Sequence, residues 1–263
     1  MNRNIPLFKE VYNWFNLVLT IITPTSQYLS LGEITSDADF GSKMAEYLRM
    51  FGTGITGFTF LEVNPLAQFP KSLIESLQRD IKGKEKINLH DSLGEHFIIR
   101  EDESGELKAS KLMFTHRMTD CDEEVSFDPL EESDGTRRLM DLLPTVLSLH
   151  QKRERVLLID EFDRSLHPHL TYKLLSLFLS NQDELTQLIF TTHQTHLLDL
   201  DILRRDQIWF IEKDYQGESI IYSLEDFAPR YDKDIEKGYL LGRFGGIPVF
   251  GDVPFTRQAV DDE

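Results

Sequence analysis

The chain has 263 residues, of which 40% are hydrophobic and 28% are charged, and its formal net charge is −17 at pH 7. This size and composition are ordinary for a soluble globular protein with one large domain or two small ones. The negative charge argues against broad attraction to nucleic acid or anionic lipid, and no segment reaches the ~20 apolar residues of a membrane-spanning helix.

Residues 1–86 are predicted to be mainly helical. Apolar residues at helical spacing predict three helices, over residues 8–22, 40–51 and 73–81. A glycine-rich turn at residues 52–57 leads into a short predicted strand at residues 58–63.

Residues 87–126 have the pattern of β structure. Two β-like segments flank a turn at residues 102–105, which predicts a hairpin with a glycine in its turn. An acidic loop near residues 120–128 follows the hairpin. We place a domain boundary in this loop.

From residue 127 to residue 263 the predicted strands and helices alternate. The expected elements are a helix at 136–150, a strand at 156–159, a helix at 168–179, a strand at 188–191 and a hairpin of 207–212 with 219–224. Short apolar strands between helices are typical of a buried parallel sheet. The predicted fold class is therefore α/β.

The strand predicted at residues 156–159 runs directly into two carboxylates, Asp160 and Glu161. Ligands of an open parallel sheet gather beyond the carboxyl ends of its strands. Adjacent side chains at a strand end point in different directions. One acid can therefore bind Mg²⁺, usually through water, while the other orients a water molecule for attack on a phosphoryl group. Solvated acids at a strand end are the alternative that this segment alone leaves open.

The next predicted strand ends in Thr191, Thr192 and His193, which we expect at the same edge of the sheet. A histidine ring there can donate a hydrogen bond to a phosphate oxygen, and its usual pKa near neutrality suits that task. A lone histidine is more often structural. Two successive strands that both end in polar clusters favour a functional one.

A third polar segment, Ser133, Asp134 and Gly135, precedes a strongly amphipathic predicted helix. The free N–H groups and the dipole of a helix N-terminus bind anions. Gly135 permits close approach of the backbone, and Ser133 offers a hydroxyl group. Ser and Asp are also good N-cap residues, and for this segment alone the capping role is the stronger interpretation.

Together, the segments ESDGT, VLLIDE, SLHPHL and TTH resemble the core of ABC-type ATPases. The resemblance is closest to the AAA-family ATPases of the abortive-infection and OLD type, which are related to SMC and Rad50-like enzymes. It implies that ESDGT is the signature motif, VLLIDE the Walker B strand, SLHPHL the D-loop region and His193 the switch histidine.

The resemblance also implies a role for each site residue. Asp160 would hold Mg²⁺, and Glu161 and His193 would be catalytic. Ser133, Gly135 and Thr136 would contact the γ-phosphate of ATP bound to a second subunit.

The implied fold is the C-terminal lobe of an ABC-type P-loop NTPase, a parallel sheet flanked by helices, over residues 127–263. Residues 1–86 would then be an insertion or arm, and residues 87–126 a β-hairpin region.

The phosphate-binding loop G-x-x-x-x-G-K-[ST] of such ATPases is absent from the sequence. The only Gly-Lys pair, Gly83-Lys84, is followed by Glu85 and lacks the leading glycine. The G-x-G-x-x-G pattern at residues 52–57 follows a predicted helix rather than a strand, so we interpret it as a turn. We expect the chain to be the later part of a longer or split protein and to bind ATP poorly by itself.

The resemblance implies an ATP-hydrolysing switch that forms a head-to-tail homodimer around ATP and Mg²⁺. Its output would go to an effector protein, in a prokaryotic abortive-infection or phage-defence system. We expect no membrane partner, and nucleic acid only indirectly, through a partner protein with a basic surface. The single cysteine, Cys121, fits a reducing compartment, and we expect a cytoplasmic protein.

Two other functions remain open from the sequence. A metal-dependent hydrolase could draw its ligands from Asp160, Asp163, His167, His169, His193 and His196. A catalytically inactive adaptor could keep the fold for dimerisation alone; the missing lysine favours this, and the intact Asp-Glu pair does not. Metal bound without nucleotide would indicate the hydrolase, and nucleotide-dependent dimerisation would indicate the ATPase.

Overall fold

A computed structural model describes residues 6–25, 38–90, 95–118, 123–147, 149, 154–181, 184–214, 216–227 and 234–247. The chain forms two compact units, Met1–His193 and Gln194–Glu263. Among the described residues, the first unit contains a three-stranded parallel sheet and a five-stranded antiparallel sheet. The second contains a two-stranded hairpin. The boundaries that we predicted near residues 86 and 126 stay predictions.

The strands and helices are numbered in chain order. The strands are β1 (Leu19–Ile22), β2 (Ile55–Val63), β3 (Ile87–His90), β4 (His96–Glu101), β5 (Leu107–Arg117), β6 (Glu124–Phe127), β7 (Arg155–Ile159), β8 (Thr186–Phe190), β9 (Trp209–Lys213) and β10 (Ser219–Ser223). The α-helices are α1 (Pro6–Leu17), α2 (Ala38–Met50), α3 (Pro65–Gln68), α4 (Lys71–Asp80), α5 (Asp134–Leu147), α6 (Pro168–Asn181) and α7 (Ile235–Leu240).

The parallel sheet has the order β1-β7-β8, with β7 in the centre. Its strands are short and rich in Leu, Ile and Val, as expected for strands buried between helices. The register pairs Ile22 with Ile159 and Ile159 with Phe190, so that all three strands end at the same level. The residues that follow the three strands therefore lie at one edge of the sheet.

Helices α5 and α6 supply much of the core beside this sheet. The predicted apolar stripe of α5 is confirmed, since all its members are buried: Leu139, Leu142, Leu143, Val146 and Leu147. Helix α6 buries Leu174, Leu175 and Phe178. Along the stretches that the structure describes, no helix is both long and apolar enough to cross a membrane.

The antiparallel sheet has the order β2-β5-β4-β3, and β6 pairs with β5. Helix α4 covers it with Ile74 and Leu77, which pack against Phe97 and Ile99 of β4. The predicted hairpin around residues 102–105 is confirmed as β4 and β5, and Gly105 has the positive φ of 84° that its turn requires.

The second unit is built on the predicted hairpin of β9 and β10, which is confirmed. Its core consists of apolar residues from the hairpin and the segments that follow: Ile208, Phe210, Leu224, Ile235 and Phe244. The Tyr222 hydroxyl lies 2.8 Å from the carbonyl oxygen of Phe244, to which it donates a hydrogen bond. Burial, together with the neighbouring Glu212 carboxylate, raises the pKa of Tyr222 to about 12.

Two predicted elements are wrong in part, and two strands were missed. The turn predicted at residues 52–57 stops before Ile55, where β2 begins. The helix predicted for residues 8–22 ends at Leu17, and Leu19–Ile22 forms β1 instead. The run Leu-Thr-Ile-Ile is compatible with helix or strand, and parallel pairing with β7 decides in favour of a strand. Strands β3 and β6 are short and partly polar, so their pattern did not stand out.

Candidate functional site

The edge where β1, β7 and β8 end carries the candidate site. The backbone N–H of Asp160 donates to the carbonyl of Ile22 at 2.8 Å, and that of Thr191 donates to the carbonyl of Ile159 at 3.1 Å. These bonds set Asp160 and Thr191 side by side just beyond the strands. The prediction that the two strand ends share one edge is confirmed.

Thr191 joins the two acids. Its hydroxyl donates to Oδ1 of Asp160 at 2.6 Å and accepts a hydrogen bond from the backbone N–H of Glu161 at 2.9 Å. A hydroxyl can donate one hydrogen bond and accept others, so both contacts are satisfied together. The Asp160 carboxylate and the Glu161 backbone are thus fixed relative to one another.

His193 lies two residues after Thr191 and is exposed. Its backbone N–H faces Oδ1 of Asp163 at 3.4 Å, and the N–H of Phe162 donates to the carbonyl of Thr191 at 2.9 Å. The segment after β8 is therefore held to the segment after β7. Its backbone brings His193 to the same edge as the two acids.

The start of α5 forms an N-cap. The Ser133 hydroxyl accepts a hydrogen bond from the backbone N–H of Thr136 at 3.1 Å and lies 2.9 Å from the Thr136 hydroxyl. Ser133 is exposed, whereas the Thr136 side chain is buried, with a relative exposure of 7%. The capping role that we considered for Ser133 is present. Contact of Ser133, Gly135 and Thr136 with nucleotide stays a prediction.

Gly135 packs closely against the segment that follows β7. A Cβ atom at this position would lie 2.9 Å from the carbonyl oxygen of Ser165, closer than real Cβ contacts occur. Ser165 itself has a positive φ of 59°, which is uncommon for a residue other than glycine. A contact within the chain is thus sufficient to require glycine at position 135.

Sequence reasoning missed Arg138. This residue is buried in α5, and its guanidinium donates to the carbonyls of Asp160 and Glu161 at 3.1 and 2.9 Å. Burial lowers the pKa of Arg138. One signal was available in the sequence: Arg138 lies four residues before Leu142, which places it on the apolar stripe of the helix.

The structure gives no support to the hydrolase alternative. Among the described residues, which include all six of its candidate ligands, no three His, Cys, Asp or Glu side chains lie close enough together to hold a metal ion. His167 and His169 are near each other, with ring centroids 5.3 Å apart. Within the part of the chain that the structure describes, they have no third ligand of these types beside them.

Comparison with known protein families assigns the chain to one of them. The family described as "AAA domain, putative AbiEii toxin, Type IV TA system" matches residues 32–199. The chain belongs to this AAA-domain family. The matched range includes Ser133, Asp160, Glu161 and His193, so the site lies within the AAA domain. No protein with a curated description matches the chain.

Family membership indicates an ATPase-type function and the context of toxin–antitoxin or abortive-infection systems. The α/β fold with its parallel sheet agrees with this assignment. The predicted recognition of an AAA-family ATPase of abortive-infection type is therefore confirmed at the level of the family.

Thr191→Val is expected to destabilise this AAA domain at the edge of its parallel sheet. Valine has the shape of threonine but leaves the Asp160 carboxylate without its donor and the Glu161 N–H without its acceptor. We expect a loss of about 1 kcal/mol in the free energy of unfolding, measured by urea denaturation. Thr191→Ser keeps the hydroxyl and is the control. Equal losses in the two variants would mean that the hydroxyl is not what matters.

Proposed function

We propose that this AAA domain is part of an ATP-hydrolysing switch. The observation that carries the proposal is the Asp160-Glu161 pair at the end of the central parallel strand, joined through the Thr191 hydroxyl. Acidic residues just beyond the carboxyl ends of parallel strands lie where such sheets bind their ligands. Membership of an AAA-domain family supports ATP as that ligand.

Asp160 has the donor chemistry for Mg²⁺. Magnesium takes oxygen ligands and keeps several waters, so that one or two protein carboxylates with phosphate oxygens suffice for its site. Oδ1 of Asp160 is fixed by Thr191, and the residue is partly exposed at the sheet edge. These features fit a carboxylate that binds the Mg²⁺ ion of MgATP. That ion in turn neutralises charge on the phosphates.

We assign Glu161 the role of orienting the attacking water and taking its proton. Its backbone is anchored on both sides, since its N–H donates to Thr191 and its carbonyl accepts from Arg138. The side chain is therefore attached to a fixed point while it stays partly exposed. His193, at the same edge, is proposed to contact the γ-phosphate.

We infer that the phosphate-binding loop comes from outside this sequence, which contains no G-x-x-x-x-G-K-[ST] pattern. We propose that a segment carrying that loop, on a longer form of the protein or on a second chain, completes each site. The loop amides and lysine supply most contacts with the β- and γ-phosphates in such enzymes. The 263 residues alone should then bind ATP weakly.

We further propose that two such subunits associate head to tail, with the start of α5 facing the nucleotide of the other subunit. The α5 N-terminus has the dipole and N–H groups that favour an anion, and Ser133 is exposed beside it. ATP would hold the pair together and hydrolysis would release it. The output would reach an effector in a cytoplasmic abortive-infection or phage-defence system of OLD-like type.

The experiment compares two preparations of a C-terminally tagged protein. One is expressed from DNA that begins at Met1, and the other from DNA that includes the natural upstream sequence, so that a longer or second product is recovered. We expect saturable micromolar ATP binding and Mg²⁺-dependent turnover in the second preparation only, measured by calorimetry and phosphate release.

Glu161→Gln in the second preparation is the control for contaminating ATPases. Micromolar binding by the 263-residue chain alone would contradict the proposed origin of the phosphate loop. Lack of turnover when a loop-containing product is present would contradict the ATPase itself.

A further inference from the structure

Glu161 has a backbone conformation that its surroundings must hold. Its φ is +46°, in the left-handed region that residues other than glycine rarely adopt. Such a conformation persists only where neighbouring groups fix it, and it is frequent at functional sites. The direction of the Glu161 side chain depends on this φ, since the Cβ bond turns with the backbone.

The backbone of Glu161 makes three hydrogen bonds. One is local, from the backbone N–H of Arg164 to the Glu161 carbonyl at 3.0 Å, and two involve side chains of other elements. On the sheet side, its N–H donates to the Thr191 hydroxyl at 2.9 Å. On the helix side, its carbonyl accepts from Nη2 of Arg138, also at 2.9 Å. The two side-chain contacts act on the peptide groups on both sides of the Cα atom, whose orientations set φ and ψ, and they add to the local bond from Arg164.

Arg138 reaches more than one strand end. Nη2 also donates to the Asp160 carbonyl at 3.1 Å, and Nη1 donates to the Thr23 carbonyl at 3.4 Å, just after β1. The Nε–H has no acceptor among the described residues. The guanidinium is thus held by its two Nη groups, whose planar fork can serve several carbonyls in a way that a lysine ammonium does not reproduce.

Packing alone does not account for an arginine at this position. The residue is 4% exposed and lies on the stripe with Leu139 and Leu142. Burying a charge is costly unless it is well hydrogen-bonded, and a leucine or methionine would fill the stripe without that cost. What the guanidinium adds is its set of bonds to Thr23, Asp160 and Glu161.

We propose that Arg138 is a positioning residue that holds Glu161 in its left-handed conformation and so aims the Glu161 carboxylate into the site. The role of that carboxylate rests on the proposed ATPase function. The hydrogen bonds from Arg138 to the backbone of residues 160 and 161, which we call the backbone clamp, do not depend on that function. The clamp and the ATPase function can therefore be tested separately.

The test uses Arg138→Lys, with Arg137→Lys as the matched control. Lysine keeps the charge and most of the length but has one nitrogen, so it cannot serve three carbonyls as the fork does. Arg137 is the preceding residue on the same helix, but it is exposed and forms an ion pair with Asp134. If Arg138→Lys fails to fold, Arg138→Gln leaves no buried charge behind and takes its place.

The first measurement is amide hydrogen exchange by NMR on the full chain, with no nucleotide. In Arg138→Lys, exchange of the Glu161 and Phe162 amides should accelerate by roughly tenfold or more, while Leu112 in the antiparallel sheet is unchanged. Arg137→Lys should change neither. Equal acceleration at all three amides, or none at Glu161, would overturn the clamp.

The second measurement is steady-state kinetics on the preparation that contains a phosphate loop. Arg138→Lys should lower kcat by roughly tenfold or more with an unchanged KM for ATP, and introducing Arg138→Lys into the Glu161→Gln variant should cause no further loss. A raised KM with an unchanged kcat would overturn the positioning role. If the wild-type preparation has no ATPase activity, the proposed function fails and the exchange experiment still decides the clamp.

Discussion

Glu161→Gln is expected to reduce ATP turnover by roughly a hundredfold to ten-thousandfold and to leave MgATP binding intact, in a preparation with a phosphate-binding loop. Glutamine has the size of glutamate but cannot take a proton from water. The contacts of residue 161 with Thr191 and Arg138 use its backbone, so the substitution preserves them. Bound ATP should then persist and keep the subunits associated, which sedimentation velocity would detect.

Variants of the adjacent acid separate the two roles. Asp160→Ala should weaken Mg²⁺-dependent nucleotide binding itself, because the ion loses its protein ligand. Asp160→Asn keeps an oxygen that can accept from the Thr191 hydroxyl and so distinguishes loss of charge from loss of this hydrogen bond. Glu184→Gln, an exposed residue just before β8, is the neutral control. Equal loss of binding in the Asp160 and Glu161 variants would mean that the roles are assigned wrongly.

Gly135→Leu is expected to abolish ATP-driven dimerisation and to lower stability. A Cβ atom at this position meets the Ser165 carbonyl oxygen at 2.9 Å, so that α5 or the Ser165 segment must shift. We expect a cost of about 1–3 kcal/mol in the free energy of unfolding, typical of an overpacked contact. Ser133→Ala is the comparison: it removes the cap for about 1 kcal/mol and introduces no clash.

The Gly135 variant alone cannot show that α5 acts on a second subunit, because the contact with Ser165 lies within one chain. Mixing Ser133→Arg with Glu161→Gln subunits decides this. A head-to-tail heterodimer would contain one site with both residues intact and one with both altered. Roughly a quarter of wild-type turnover is expected on mixing equal amounts, since half of randomly formed dimers are mixed. No recovery, with heterodimers shown to form, would exclude action between subunits.

Much of the site was predictable because its elements have strong local patterns. The run Val-Leu-Leu-Ile bounded by two acids predicted β7 and placed Asp160 and Glu161 at its end. The leucine spacing after Ser133 predicted α5 and its buried face. Parallel strands that pair in register end at a common edge, so the sequence alone predicts His193 near the two acids, and β7 and β8 do pair in this way.

The remaining features depend on contacts between residues that are distant in the sequence. Residues 19–22 have no periodicity that separates helix from strand, and pairing with β7 makes them β1. The bridge from Thr191 to Asp160 spans 31 positions, and the bond from Arg138 to Glu161 spans 23. The local sequence predicts that Gly135 lies at the start of a helix, but the contact that requires glycine there is with the carbonyl oxygen of Ser165.

The sequence by itself therefore determined the fold class, the central strand and the chemical type of each site residue, because apolar periodicity and strand-end polarity are local properties. Only the tertiary structure decided how those residues are held. The orientation of Glu161 depends on a positive φ and on donors and acceptors from α5 and from the segment after β8. Those partners come together only when the helix packs on the sheet, since no local pattern of residues 160 and 161 specifies them.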